Sequence, residues 1–122
     1  MDFIKRYAIW CPIILSALAF GAAGTFKLMG TPDLHQSFAL LGLPGWFGYF
    51  IGAAEVAGAI GLLFARTRLL AAIGLAIIMV GAVYFHVVFT PLGQAIPALL
   101  LLGFMLLIAH YQRGGFSRKA AT

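Results

Sequence analysis

The sequence predicts an all-α integral membrane protein, a four-helix bundle with both termini on the cytoplasmic side. Three observations carry this expectation. Of 122 residues, 63% are hydrophobic and 9% charged, and the mean hydropathy is +1.05, which leaves too little polar surface to cover a water-soluble domain. Apolar runs of the ~20 residues that a helix needs to cross a bilayer recur at about 7–29, 46–65, 69–89 and 94–111. Lys5, Arg6, Arg66, Arg68, Arg113, Arg118 and Lys119 flank one side of these runs and only Lys27 the other, the asymmetry that sets N-in, C-in orientation in short-looped membrane proteins. Connections this short leave room for one domain, residues 1–122.

The first run imitates a secretory leader, with Lys5 and Arg6 before an apolar stretch and Ala17-Leu18-Ala19 as a small-residue site. We read it as the first transmembrane helix. Its Cys11 is the one cysteine of the chain; that excludes an internal disulfide and any paired-thiol electron transfer, and suits a small packing residue. The following outward loop, 30–45, is half apolar, with Leu34, Phe38, Leu40, Leu41 and Leu43 interrupting Asp33, His35 and Gln36. It is expected to lie as a short amphipathic helix over the outer mouth.

The second run carries Glu55 near its middle. A carboxylate at that depth costs several kcal/mol unless protonated, paired or hydrated. Helical spacing puts Gly48, Gly52, Glu55 and Ala59 on one face, a small-residue stripe suited to a neighbouring helix, so Glu55 is expected to face the bundle. It serves there either as a proton-handling or ligand-orienting group or as a hydrogen-bonding staple. Lys27, near the outer end of the first run, either snorkels outward or turns inward toward Glu55, with a water or ligand bridging the gap.

Arg66-Thr67-Arg68 is read as a tight polar turn, and Thr90-Pro91-Leu92-Gly93 as the turn after the third run. His86 lies one turn before that second turn, on a face with Met79, Ala82 and Val83. A faint echo at an offset of 59 residues aligns Ala23, Phe26, Thr31 and Pro32 with Ala82, Phe85, Thr90 and Pro91, and sets Lys27 at the depth of His86. His110 lies at the opposite end of the fourth run, so these two histidines cannot share a haem. His35 and His86 near the outer mouth, without Cys or a carboxylate cluster, are a weak signal for a metal or haem site, which stays open on the sequence. Trp10, Trp46, Tyr49 and Tyr111 fall near the interfaces, where amphipathic rings are favoured. A basic tail, 113–119, follows the fourth run.

The net charge of +5 belongs to these flanks and turns, so no nucleic-acid partner is expected; the lipid bilayer is. No phosphate loop, nucleophile elbow or zinc-protease motif is present, and no catalytic residue is assigned.

Three segments together, Phe20-Gly21-Ala22-Ala23-Gly24-Thr25-Phe26-Lys27-Leu28, Gly52-Ala53-Ala54-Glu55-Val56-Ala57-Gly58 and Met79-Val80-Gly81-Ala82 with His86, resemble the DoxX family of small four-helix membrane proteins, in its DoxX-like branch. The resemblance covers nearly the whole chain, and Lys27, Glu55 and His86 match the polar points of the family pattern. It implies association with quinone-linked oxidoreductases in the inner membrane, as a subunit without a cofactor motif of its own. The expected site is then an outward-facing pocket in which Glu55, His86, Lys27 and His35 meet a quinone or other small apolar ligand. Two alternatives stand beside it. One is a non-enzymatic accessory subunit that uses its glycine-rich faces to bind a membrane-protein partner or another copy of itself. The other is a proton-coupled small-molecule exporter, opposed by Glu55 lying in the second helix and by the one-sided charge.

Overall fold

Residues 2–30 and 32–121 are described in the computed structural model, with side chains at 4, 6–30, 32, 35–36 and 38–113. Thr31 and the side chains of Lys5, Asp33, Leu34, Arg118 and Lys119, which entered the charge, loop and echo readings, lie outside the described residues. Every regular element among the described residues is helical. In chain order they are α1 (Asp2–Ala8), α2 (Trp10–Leu28), α3 (Pro32–Leu40), α4 (Phe47–Leu62), α5 (Ala65–Phe89), a short 3-10 turn (Leu92–Ala95) and α6 (Ile96–Ala121).

Among the described residues three apolar stretches are long enough to cross a membrane: Arg6–Leu28, Ala65–Phe89 and Leu92–Arg113. In each, less than a third of the most apolar stretch is buried inside the molecule. Large aliphatic side chains accordingly stand on the outside, Leu70 at 75% and Leu18 and Ile77 at 68% exposure. Exposed apolar surface on this scale is compatible with lipid as the solvent.

Two of the helix boundaries have a plain local cause. Pro12 has no N–H to offer the carbonyl of Ala8, so α1 ends there and α2 starts afresh with Pro12 in its first turn, where proline is tolerated. Gly30, at φ +77°, ends the chain's run from α2 in a backbone conformation that disfavours any side chain. The outward loop does hold a helix, α3, packed on α2 and α4.

The turn expected at 66–68 sits earlier. Leu63 and Phe64 make it, and α5 already begins at Ala65, the residue expected to end the second span. The reason is capping from the far side of the turn. Thr67 Oγ1 donates to Gly61 O at 2.8 Å and Arg68 Nε to Leu62 O at 2.7 Å, satisfying the last carbonyls of α4 and holding the polar residues in helical conformation.

α2 packs on α4, α4 on α5, and α5 on α6, which returns to touch α2. Both contacts of α4 run antiparallel: Gly24 meets Gly52 and Val56 while Gly21 meets Ala59, and Gly58 meets Leu75 while Gly61 meets Ala71. The core they enclose includes Ile13, Phe20, Leu62, Leu75, Met105 and Ile108. Toward it α4 turns Gly48, Gly52, Glu55, Ala59 and Leu62, the face that helical spacing marks out.

Candidate functional site

At the crossing of α2 and α4 the two backbones nearly touch. A Cβ on Gly24 would lie 2.6 Å from Gly52 O, and one on Gly52 would lie 2.8 Å from Lys27 Cβ. Glycine at both positions lets the helices close far enough for their side chains to meet directly, as small residues do at membrane helix interfaces.

Lys27 Nζ donates to Glu55 Oε1 at 2.6 Å. No water or ligand is needed to bridge them, contrary to the expected gap. Lys27 comes from the last turn of α2, where a cation also favours the helix C-terminus. The pair is unevenly covered, with the lysine side chain 15% exposed and the glutamate side chain 2%. An ion pair this close and this dry interacts far more strongly than one in water.

The pair retains bonding capacity. Lys27 Nζ carries three donors, and its hydrogen bond to Glu55 Oε1 uses one. Among the described residues nothing bonds to Glu55 Oε2. The group therefore presents a fixed acceptor beside fixed donors.

α3 covers this arrangement from outside. His35 Nε2 lies 2.7 Å from Lys27 O, and since a carbonyl only accepts, the ring nitrogen is the donor. The same carbonyl accepts from Gly30 N at 3.1 Å. The His35 ring rests on Tyr49 with centroids 4.3 Å apart and covers Gly48 so closely that a Cβ there would run into it. Phe38 of α3 meets Phe47 of α4 edge-on at 5.5 Å. His35 is thus tied to the backbone of Lys27 and to α4 at Gly48 and Tyr49, while Lys27 and Glu55 meet through their side chains.

His86 stands differently. Thr90 Oγ1 donates to His86 O at 2.8 Å, and His86 Nδ1 lies 3.1 Å from the same oxygen. The ring also meets Phe85 edge-on at 5.4 Å. Among the described residues these contacts cap the end of α5 and do not join the Lys27–Glu55 pair. No three His, Cys, Asp or Glu residues converge as metal ligands among the described residues.

Sequence reasoning missed a second polar cluster at the other end of the molecule. Arg68 is buried, hydrogen-bonded to Leu62 O and Leu63 O and to Gln112 Oε1, with its guanidinium 4.8 Å from the centre of the Trp10 ring. Gln112 in turn donates to Ala65 O at 3.2 Å. The signal was present: Arg68, Ala72, Leu75 and Met79 fall on one helical face, and it is the buried face of α5. Between the two clusters α2 buries Ile13, Ser16 and Phe20, and α4 buries Ala59 and Leu62. Ser16 Oγ has no hydrogen-bond partner among the described residues.

Comparison with known proteins adds one match. A family model described as the DoxX-like family matches residues 12–109. No curated protein and no solved structure matches the chain.

Proposed function

The chain belongs to the DoxX-like family, and from that premise we propose that it is a redox-associated subunit of the inner membrane that binds a quinone or other small apolar ligand at the Lys27–Glu55 pair. The observation that carries this reading is the bonding capacity the pair retains in a largely apolar interior. A quinone carbonyl accepts, and Lys27 Nζ has donors to give; a quinol hydroxyl donates, and Glu55 Oε2 can accept. One site would then hold both redox forms, with electrons supplied by a partner protein. His35 and α3 would close the outer mouth over the head group, and His86 would fix the neighbouring helix end.

This function needs α4 to be a fourth span. At 16 residues and ~1.5 Å per residue, α4 is ~24 Å long, short of the ~30 Å core. Its antiparallel contacts with two span-length neighbours support a crossing, since a short span is accommodated by local thinning or by flanking residues. Four spans place both termini on the same side, which the charge asymmetry makes cytoplasmic.

The test is native mass spectrometry of gently extracted protein, comparing wild type with Glu55→Gln. The amide keeps the shape and removes the charge that orders Lys27. A co-extracted quinone or similar apolar molecule in the wild type, reduced about tenfold or more in a folded Glu55→Gln protein, matches the loss of one buried polar contact, ~1–3 kcal/mol. Equal occupancy in both proteins would refute the proposal.

An accessory role in assembly is favoured by a different feature. An open apolar groove of about 380 Å³ runs outside the α2–α4 contact, lined by Ile14, Leu18, Gly21, Thr25, Val56 and Ile60 among others. Its one hydroxyl, Thr25 Oγ1, is already bonded to Gly21 O at 2.6 Å. Such a surface suits packing against another membrane helix.

A further inference from the structure

Arg68 is a buried cation whose hydrogen bonds all go to neutral acceptors. It is 6% exposed. Nε donates to Leu62 O at 2.7 Å, Nη2 to Leu63 O at 3.3 Å and Nη1 to Gln112 Oε1 at 3.3 Å. A guanidinium has five N–H donors in a rigid fork, so two remain. Among the described residues no carboxylate reaches it. Carbonyl oxygens and the Trp10 ring ease its removal from water, but among the described residues none of its partners carries a compensating negative charge.

The surroundings are positive as well. Gln112 joins Arg68 to Ala65 O, so Arg66 and Arg113 leave from backbone positions beside this link, and both are exposed. Arg6, also exposed, stands four residues before Trp10. In the sequence this flank carries seven Lys and Arg residues and one acid, Asp2. Directly beside the cluster the surface turns apolar, with Leu70 at 75%, Phe64 at 61% and Leu63 at 43% exposure.

We propose that this end of the molecule binds the phosphate of an anionic phospholipid, with the Arg68 guanidinium under Trp10 as its seat and Arg6, Arg66 and Arg113 as flanking cations. The spare donors of Arg68 match phosphate oxygens, which arginine receives in paired hydrogen bonds. The apolar wall next to it receives the acyl chains. A soluble phosphate would satisfy the fork but leave that wall without an occupant. The inference concerns the opposite end from Lys27–Glu55 and stands whether or not a quinone binds there.

Intact wild-type protein in neutral detergent is mixed with phosphatidylglycerol or with phosphatidylcholine of the same acyl chains, and the lipid retained is read by native mass spectrometry. Each basic residue near a membrane surface favours anionic lipid by about fivefold, so phosphatidylglycerol should be retained at least about fivefold over phosphatidylcholine. Arg68→Gln should lower that preference more than Arg113→Gln does, and in ~1 M salt, where the exposed flanking cations are screened, should abolish it. Because Arg68→Gln could unfold the chain, a second measurement uses wild type alone. The preference should persist in ~1 M salt, where the Debye length is ~3 Å and exposed charges are screened. No preference in wild type, its loss in high salt, or its retention at that salt in a folded Arg68→Gln protein overturns the proposal. Displacement of the lipid by equimolar inorganic phosphate would overturn the lipid as the source.

Discussion

Lys27 and Glu55 are unequal partners, and the inequality predicts how each behaves alone. Lys27 stands in the last turn of its helix with its side chain 15% exposed, so without Glu55 its long stem can snorkel outward. Glu55 is 2% exposed and has no such route. Lys27→Met should therefore destabilise the folded protein more than Glu55→Gln, toward the ~3–5 kcal/mol typical of a buried charge left without its partner. Lys27→Met/Glu55→Gln should recover much of that loss. Thermal unfolding in one detergent measures all three, and equal losses for the two single variants would count against the argument. Glu55 was legible in the sequence because a carboxylate in mid-span demands an explanation. The directness of its bond to Lys27 was not, since that depends on how closely two glycines let two backbones approach. His35 was legible as a residue near the mouth, but its bond to the Lys27 carbonyl depends on where α3 lies.

At the scale of the helices, the α2–α4 contact is governed by which glycines meet a neighbour and which meet open space. A side chain at Gly52 would strike Lys27 Cβ and Gly24 O, whereas one at Gly74 meets nothing within 4 Å. Gly52→Leu should thus force α2 from α4, break the ion pair and cost at least the ~1–3 kcal/mol of an overpacked interior. Gly74→Ala should be neutral or slightly stabilising, as alanine is the better helix former by ~1 kcal/mol in an exposed helix interior. Comparing melting temperatures of the two variants checks this, and a tolerant Gly52 would show that the contact is looser than the structure has it. The α4–α5 boundary was misplaced from sequence for an equally local reason. Polar Arg66-Thr67-Arg68 has the composition of a turn, yet Thr67 and Arg68 turn back to cap α4, and the apolar pair Leu63-Phe64 makes the bend. Composition reports which residues prefer water and cannot report which of them reach back to an orphan carbonyl.

For the molecule as a whole, the parity of its crossings decides the side on which each end emerges. If α4 crosses together with α2, α5 and α6, reporters joined before Met1 and after Thr122 should both read cytoplasmic, and one placed near Gln36 should read external. If α4 only dips into the bilayer, the two terminal reporters must disagree. The helical class and the apolar, lipid-facing character were readable from hydropathy, because lipid forces backbone groups to bond within each segment. The pairing of polar residues across helices was not, because it follows from crossing points that no periodicity encodes.

The stretch of core between the two charged clusters has an electrical meaning. From Trp10 to Lys27 the buried face of α2 offers Ile13, Ser16, Phe20 and Gly24, and the facing core supplies Leu62, Leu75 and Met105. A proton relayed between Arg68 and Glu55 would need a file of bonded groups, and Ser16 Oγ alone, without a partner among the described residues, does not make one. Among the described residues the core between the two charged clusters offers no such file. Vesicles that contain the protein should then hold an imposed proton gradient as long as vesicles of lipid alone, and a faster decay would reveal a relay through the core.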